Sequence, residues 1–256
     1  MLNEARERER FPAGTMDDYS RRAFIRTSLP GFLGLSMALP AITAFATRAR
    51  ACEGRLPADA PIHWDAFLEA LTEEAGKQHL DRWNEKDYVR RAAAIAARLD
   101  LRDPELAAAF ERAKQGVGNG RIDFDHLEKE RDFQVSFLQF EKGEQISYHD
   151  HPGMTGVLLC ATGKVDVWNY DELDDSPEPG HLLLRQTGKE RLGKASVSTL
   201  TSKERNIHRL RAEELTQLID IFAPPYNLER SRKSRWFEVD DEPYQGEGTD
   251  FLAKVR

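Results

Sequence analysis

Three histidines in this chain have the types and spacing from which metal chemistry is expected. In the stretch from Gly143 to Gly163, GEQISYHDHPGMTGVLLCATG, His149 and His151 stand two residues apart on a predicted β-strand with glycines closing both ends. Side chains at i and i+2 of a strand share a face, so the two imidazoles can grip one ion while Asp150 between them points away. A third imidazole, in Asn206-Ile207-His208, lies far enough downstream to come from another strand of the same sheet. His149, His151 and His208 are therefore expected to form one metal site. Three neutral imidazoles hold an ion on one face and leave up to three coordination positions open.

The elements that must position these side chains follow from periodicity. After Gly120 the pattern alternates: Phe133, Val135 and Phe137 with Gln134 and Ser136 between them. Short β-rich runs follow at 156–160, 164–168, 196–200, 215–222 and 235–239, separated by Gly, Pro and Asp clusters such as Asp174-Asp175-Ser176-Pro177. Many short strands punctuated by turns predict a small all-β sandwich or barrel. In the run 215–222, Asp220 shares a face with Leu218 and Phe222, so its carboxylate is expected to be buried and to need a partner, either a ligand imidazole or an arginine.

Upstream, from Pro61 to about Gly118, the period is helical. Trp64, Phe67, Leu68 and Leu71 make one stripe, and Tyr88, Ala92, Ile95, Ala96 and Leu99 a second. Asp103-Pro104 predicts a helix start, with Asp103 as cap. His63, His79 and His126 lie outside any ligand-like spacing, and His181 after an acidic turn is expected to be exposed. Cys160 is expected to be a small buried residue, and the basic run Arg230, Arg232, Lys233 and Arg235 a solvated edge.

Composition excludes several classes. The 256 residues are 32% charged and 40% hydrophobic, which fits one globular domain with extensions rather than a disordered chain or a membrane bundle. A net charge of −7 disfavours a nucleic-acid surface, and two cysteines, Cys52 and Cys160, do not make a disulfide framework.

The first fifty residues have a different character. Ser20-Arg21-Arg22-Ala23-Phe24-Ile25-Arg26 precedes an apolar run, Leu29 to Ala46, softened by two prolines and two glycines, and Ala49-Arg50-Ala51 offers small residues for cleavage. This resembles a twin-arginine (Tat) export signal over residues 1–51, with Met16 as a start that leaves a short basic segment. The expectation is export to the periplasm without stable membrane insertion after cleavage; an uncleaved anchor and cytoplasmic retention are the alternatives. Ala49 stands where a lipid-attachment site wants a large aliphatic, so lipidation of Cys52 is disfavoured. Cleavage would leave 29 basic against 39 acidic residues and an acidic surface.

Gly143, His149-Asp150-His151 and Gly163 resemble the first motif of the cupins, which implies a mainly β, cupin-type double-stranded β-helix over 121–256, preceded by a helical region over 52–120. Many cupins carry a glutamate ligand four or five residues after the second histidine; here those places are Thr155 and Gly156. With that loss, His149-Asp150-His151-Pro152-Gly153-Met154, Asn206-Ile207-His208 and Asp220-Ile221-Phe222-Ala223-Pro224-Pro225-Tyr226 resemble the cysteamine dioxygenase and plant cysteine oxidase family of thiol dioxygenases. The resemblance covers roughly residues 122–239. It implies Fe(II) on His149, His151 and His208. It also implies O₂ and a thiol, an aminothiol or an N-terminal cysteine, as reactants, a sulfinic acid as product, and supporting roles for Asp220 and Tyr226, the tyrosine hydroxyl facing substrate. A monomer is expected. Two departures stand out: Ser202-Lys203-Glu204-Arg205 replaces the proline and glycine that usually precede the third histidine, and Tyr148 stands where an aliphatic is common. A different metal-dependent cupin enzyme and a non-catalytic ligand-binding cupin explain the same triad.

Overall fold

The computed structural model describes residues 60–116, 122–129, 131–174 and 177–256. The segment expected to act as an export signal, the expected cleavage position and Cys52 lie outside the described residues.

Three helices come first: α1 (Trp64–Gly76), α2 (Glu85–Ala96) and α3 (Pro104–Gly116). Their starts are specified locally. The Asn84 side chain accepts the Asp87 N–H at 3.1 Å, and Asp103 Oδ1 accepts those of Glu105 and Leu106 at 2.7 and 3.3 Å, with Pro104 at the first helical position. The other Asp103 oxygen takes the Trp64 N–H and the His63 ring, tying the start of α1 to that of α3.

Two antiparallel sheets follow. One has the order β1-β2-β9-β4-β7 and is built from β1 (Ile122–Lys129), β2 (Gln134–Phe140), β4 (Thr155–Thr162), β7 (Val197–Leu200) and β9 (Thr216–Ala223). The other has the order β10-β11-β6-β5-β8-β3. It comprises β3 (Gln145–His149), β5 (Val165–Leu173), β6 (Leu182–Leu192), β8 (Ile207–Ala212), β10 (Phe237–Val239) and β11 (Asp250–Val255). The helical stripes pack on the outer face of the first sheet, against Val135, Phe137, Val157, Leu159, Ile219 and Ile221; Phe110 meets Phe137 with ring centroids 4.8 Å apart. The opposite face turns Leu138, Phe140, Leu158, Cys160 and Leu218 toward Val165, Val167, Leu192 and Leu210 of the second sheet. With both faces covered, β4 is a near-continuous apolar run rather than an alternating one. Gly163, at φ +79°, must remain glycine because a Cβ would come 2.3 Å from the Leu215 carbonyl oxygen. This is the mainly β, cupin-type barrel with a helical N-terminal layer that the sequence predicts.

Three strands escape the sequence reading. β1 and β6 each carry four charged residues and β11 two, and all three lack the clean apolar alternation that marks the inner strands. The short helix α4 (Leu228–Lys233) was likewise hidden, inside the basic run. Among the described residues, no helix is long and apolar enough to cross a membrane.

Candidate metal centre

One end of the barrel interior is polar. Gln134 and Ser136 on β2, Asn169 on β5 and Ser198 on β7 are all buried there, together with the three histidines. His149 ends β3 and His208 lies opposite it on β8 in the antiparallel register, Ile146 pairing with Leu210 and His149 with His208. Three residues on β3 thus oppose two steps on β8, a bulge that turns His149 inward. His151 sits just past the strand end rather than on it, but still on the same side as His149.

The three imidazoles converge through one nitrogen each. His208 Nε2 lies 3.1 Å from His149 Nε2 and 2.9 Å from His151 Nε2, and the three ligand atoms are all within 4.8 Å of one another. Burial holds all three rings neutral: His149 is pushed down to about 4, and His151 and His208 well below the ordinary imidazole value. The outward nitrogens of His149 and His151 each have a partner. His149 Nδ1–H donates to the Ser147 carbonyl at 2.8 Å, which fixes its tautomer, and the Tyr226 hydroxyl, bonded to His151 Nδ1, can accept from it when Nε2 holds a cation. The residues present therefore fit a divalent metal held by neutral nitrogen donors. No carboxylate joins the group among the described residues, and Thr155, where many cupins have a glutamate, already donates its hydroxyl to the Ala223 carbonyl.

Aromatic rings wall the centre. Trp236 stacks on His149, with centroids 4.9 Å apart and planes 23° from parallel, and Phe222 lies 4.5 Å from His151. Trp236 is brought there by its neighbour. Arg235 donates its backbone N–H and its Nε to the Asp150 carboxylate, each at 2.6 Å, and its terminal nitrogen to Glu172 at 2.6 Å. Asp150 does point away from the metal ligands, as the i, i+2 spacing requires. Burial nonetheless outweighs the arginine and holds its carboxyl above the ordinary value.

Arg235 is thus a pinned residue and not part of a solvated edge. His181 is half-buried rather than exposed, with its ring 3.7 Å from Glu178. Cys160 is fully buried and its thiol is pushed up to about 11, consistent with an inert core residue. Tyr148 points to the outer face, its ring edge-on to Tyr170 and beneath the Arg209 guanidinium, so this departure does not reshape the centre.

Tyr226 and Asp220 differ from expectation in their contacts. Tyr226, two residues after the cis Ala223–Pro224 bond, has its hydroxyl on a ligand histidine, and burial keeps the phenol protonated far above pH 10. Asp220 faces inward with Leu218 and Phe222 as predicted, opposite Ser136 and Leu158. No imidazole or arginine answers it among the described residues. Its open side faces a cavity of about 10 Å³ lined also by His208, Asn169 and Ser198, and burial pushes its carboxyl up to about 8.

Asn206 is the functional residue that motif spacing alone did not explain. Its Oδ1 accepts the His151 N–H at 2.8 Å, and its amide nitrogen donates to the carbonyls of His151 at 3.1 Å and Thr201 at 2.6 Å. Its place two residues before His208 was the available signal.

The PCO_ADO family model matches residues 87–251. The 2-aminoethanethiol dioxygenase of Mus musculus is 26% identical over 142 residues, covering 46% of this chain and 54% of that protein. Plant cysteine oxidase 1 of Arabidopsis thaliana is 26% identical over 144 residues, covering 52% and 47%. The chain spans about half the length of the curated relatives it matches. Among solved structures, KdgF from Halomonas sp. is similar with a TM-score of 0.33 at 18% identity, over 42% of this chain and 82% of that one.

Proposed function

Because the chain belongs to the PCO_ADO family, we propose that it is a non-haem Fe(II) thiol dioxygenase, converting R–SH and O₂ to the sulfinic acid R–SO₂H with both oxygen atoms taken from O₂. The observation that carries this reading is the convergence of three neutral imidazole nitrogens with no carboxylate among them. Bound there, Fe(II) supplies thiol activation and electron transfer to O₂, with the substrate thiolate rather than a protein carboxylate bringing the negative charge.

The protein's own groups prepare that chemistry. The Ser147 carbonyl holds His149 in the tautomer that presents Nε2, and the Tyr226 hydroxyl orients the His151 ring and can accept its Nδ1–H. Since the imidazoles are already neutral at pH 7, a cation displaces no proton from them. Phe222, Met154 and Leu200 form a buried apolar cluster at this end of the barrel, which limits water around a bound thiol. Asp220 holds a proton at neutral pH in the metal-free chain and can release it to place a negative charge near His208 once a cation is present.

The substrate reading is an aminothiol or an N-terminal cysteine, supported by the names of the two relatives. Tat export to the periplasm, supported by Arg21-Arg22 ahead of the mild apolar run, and action as a monomer complete the proposal. The test is O₂ uptake by the anaerobically Fe(II)-loaded chain with cysteamine, cysteine and a peptide beginning in cysteine. One O₂ consumed per thiol, with a product heavier by two oxygen atoms, is expected. Iron-loaded protein that consumes no O₂ with any of the three would sink the reading.

A further inference from the structure

The turn that delivers His208 lacks the proline and glycine usual before such a ligand, and Arg205 within it adopts φ +59°, a conformation that side-chain-bearing residues rarely take. A turn of this kind needs holding from outside. Internally, Thr201 Oγ1 accepts the Glu204 N–H at 2.9 Å, and the Thr201 N–H donates to the Glu204 carbonyl at 2.9 Å. From outside, Arg205 is held on the sheet side by the Asp171 carboxylate, Asn169 and Glu190, and Ser202 is held by the helical layer, 117 residues away in sequence. Glu85, the first residue of α2, accepts the Ser202 N–H at 2.8 Å and the Ser202 hydroxyl at 2.7 and 2.8 Å. The next residue, Lys86, pairs with Glu204 at 2.6 Å, but both of those side chains are more than half exposed, so that pair contributes little. Bonds to an ionised carboxylate are roughly twice as strong as neutral ones, and Glu85 makes them to a backbone and a side-chain donor of one residue.

From Ser202 the connection to the metal centre is short. Thr201 beside it accepts from Asn206, and Asn206 in turn clamps the His151 backbone in both directions and stands two residues before His208. We propose that Glu85 is a positioning residue for the metal centre: by fixing Ser202 it sets, through Thr201 and Asn206, the relative placement of His151 and His208. The proposal rests on the three-histidine reading of the centre. Glu85 lies just ahead of the family-matched segment, and its grip on Ser202 adds to the sheet's grip on Arg205 in holding the turn that precedes His208.

The test is titration of the full chain with Co(II), followed by the visible ligand-field spectrum, alongside far-UV circular dichroism and thermal unfolding. Glu85→Ala is expected to weaken Co(II) binding by about 10-fold, at the low end of what support groups around a metal typically cost, and to shift the spectrum while the helical signal is kept. Glu85→Gln retains a carbonyl acceptor and should recover most of the affinity. Lys86→Ala should bind like the wild type. If Glu85→Ala does not fold, Ser202→Ala takes its place: it removes the hydroxyl bonds, keeps the N–H bond, and should show the same spectral shift at smaller amplitude. An unchanged Co(II) affinity and spectrum in the folded variant would overturn the proposal. So would a loss that Glu85→Gln fails to restore and that merely follows the thermal midpoint. Co(II) binding that survives His208→Ala would instead remove the three-histidine reading beneath it.

Discussion

Asp220→Asn should change how the metal-free protein responds to pH. The Asp220 carboxyl stands at about 8 against an ordinary 3.8, because burial penalises the charged form and no cation offsets it. In the unfolded chain the same group loses its proton near its ordinary value. Its contribution to stability is therefore fully present below pH 3.8 and declines as pH rises, until the folded carboxyl also ionises near pH 8. At about 1.4 kcal/mol per pKa unit the whole interval is worth on the order of 5 kcal/mol, and the part between pH 5 and pH 8 about 3–4 kcal/mol. Asparagine keeps the volume and cannot titrate, so this slope should vanish. The assay is urea unfolding of metal-free wild type and variant at both pH values: the variant should gain about 3–4 kcal/mol relative to the wild type between them. Co(II) should flatten the wild-type slope, since a nearby dication favours the carboxylate. Equal pH slopes in the two metal-free proteins would show that Asp220 is solvated and ionised, and the reasoning would fail. With saturating Fe(II), the same variant should bind iron yet turn over about 10 to 100-fold more slowly.

Replacing any of His149, His151 or His208 by alanine should abolish both bound iron and turnover; full iron occupancy in His208→Ala, measured by metal analysis after anaerobic loading, would remove it from the ligand set. Arg235→Ala leaves the buried Asp150 carboxylate without its guanidinium, and should cost about 2 kcal/mol in denaturant unfolding after allowance for the partly exposed arginine. Changing Arg21 and Arg22 together to lysine should trap the precursor in the cytoplasm, which fractionation and immunoblotting would show; equal periplasmic accumulation of the double variant would reject Tat transport.

The metal triad was legible because a two-residue spacing on a strand is a strong geometric constraint: it puts His149 and His151 on one side and Asp150 on the other. The inner strands were legible for the same reason, through Phe133, Val135 and Phe137. What the sequence hid is of three kinds. Strands β6 and β11 carry charged side chains whose polar ends stay in water, so alternation is blurred. Contacts across long separations leave no local trace: Arg235 to Asp150 spans 85 residues and Glu85 to Ser202 spans 117. Tyr226 shows a third limit. Its place in a motif suggested a role at the centre, but whether its hydroxyl meets substrate or a ligand ring depends on how a loop folds back.

The bulge before His149 has a consequence for how this protein tolerates mutation. It places the Ser147 carbonyl against the imidazole two residues on, so the group that orients His149 belongs to the main chain. Any residue at 147 except one that abolishes the bulge supplies the same oxygen, and neighbouring positions are free to drift, as the tyrosine at 148 illustrates. His151 has no such insurance. The polar partner of its ring nitrogen is a side-chain hydroxyl, for which phenylalanine, otherwise the mildest replacement, offers no substitute. Within a single centre, one ligand is buffered against sequence change and another is exposed to it, and random mutagenesis should find the two sides of the site unequally fragile.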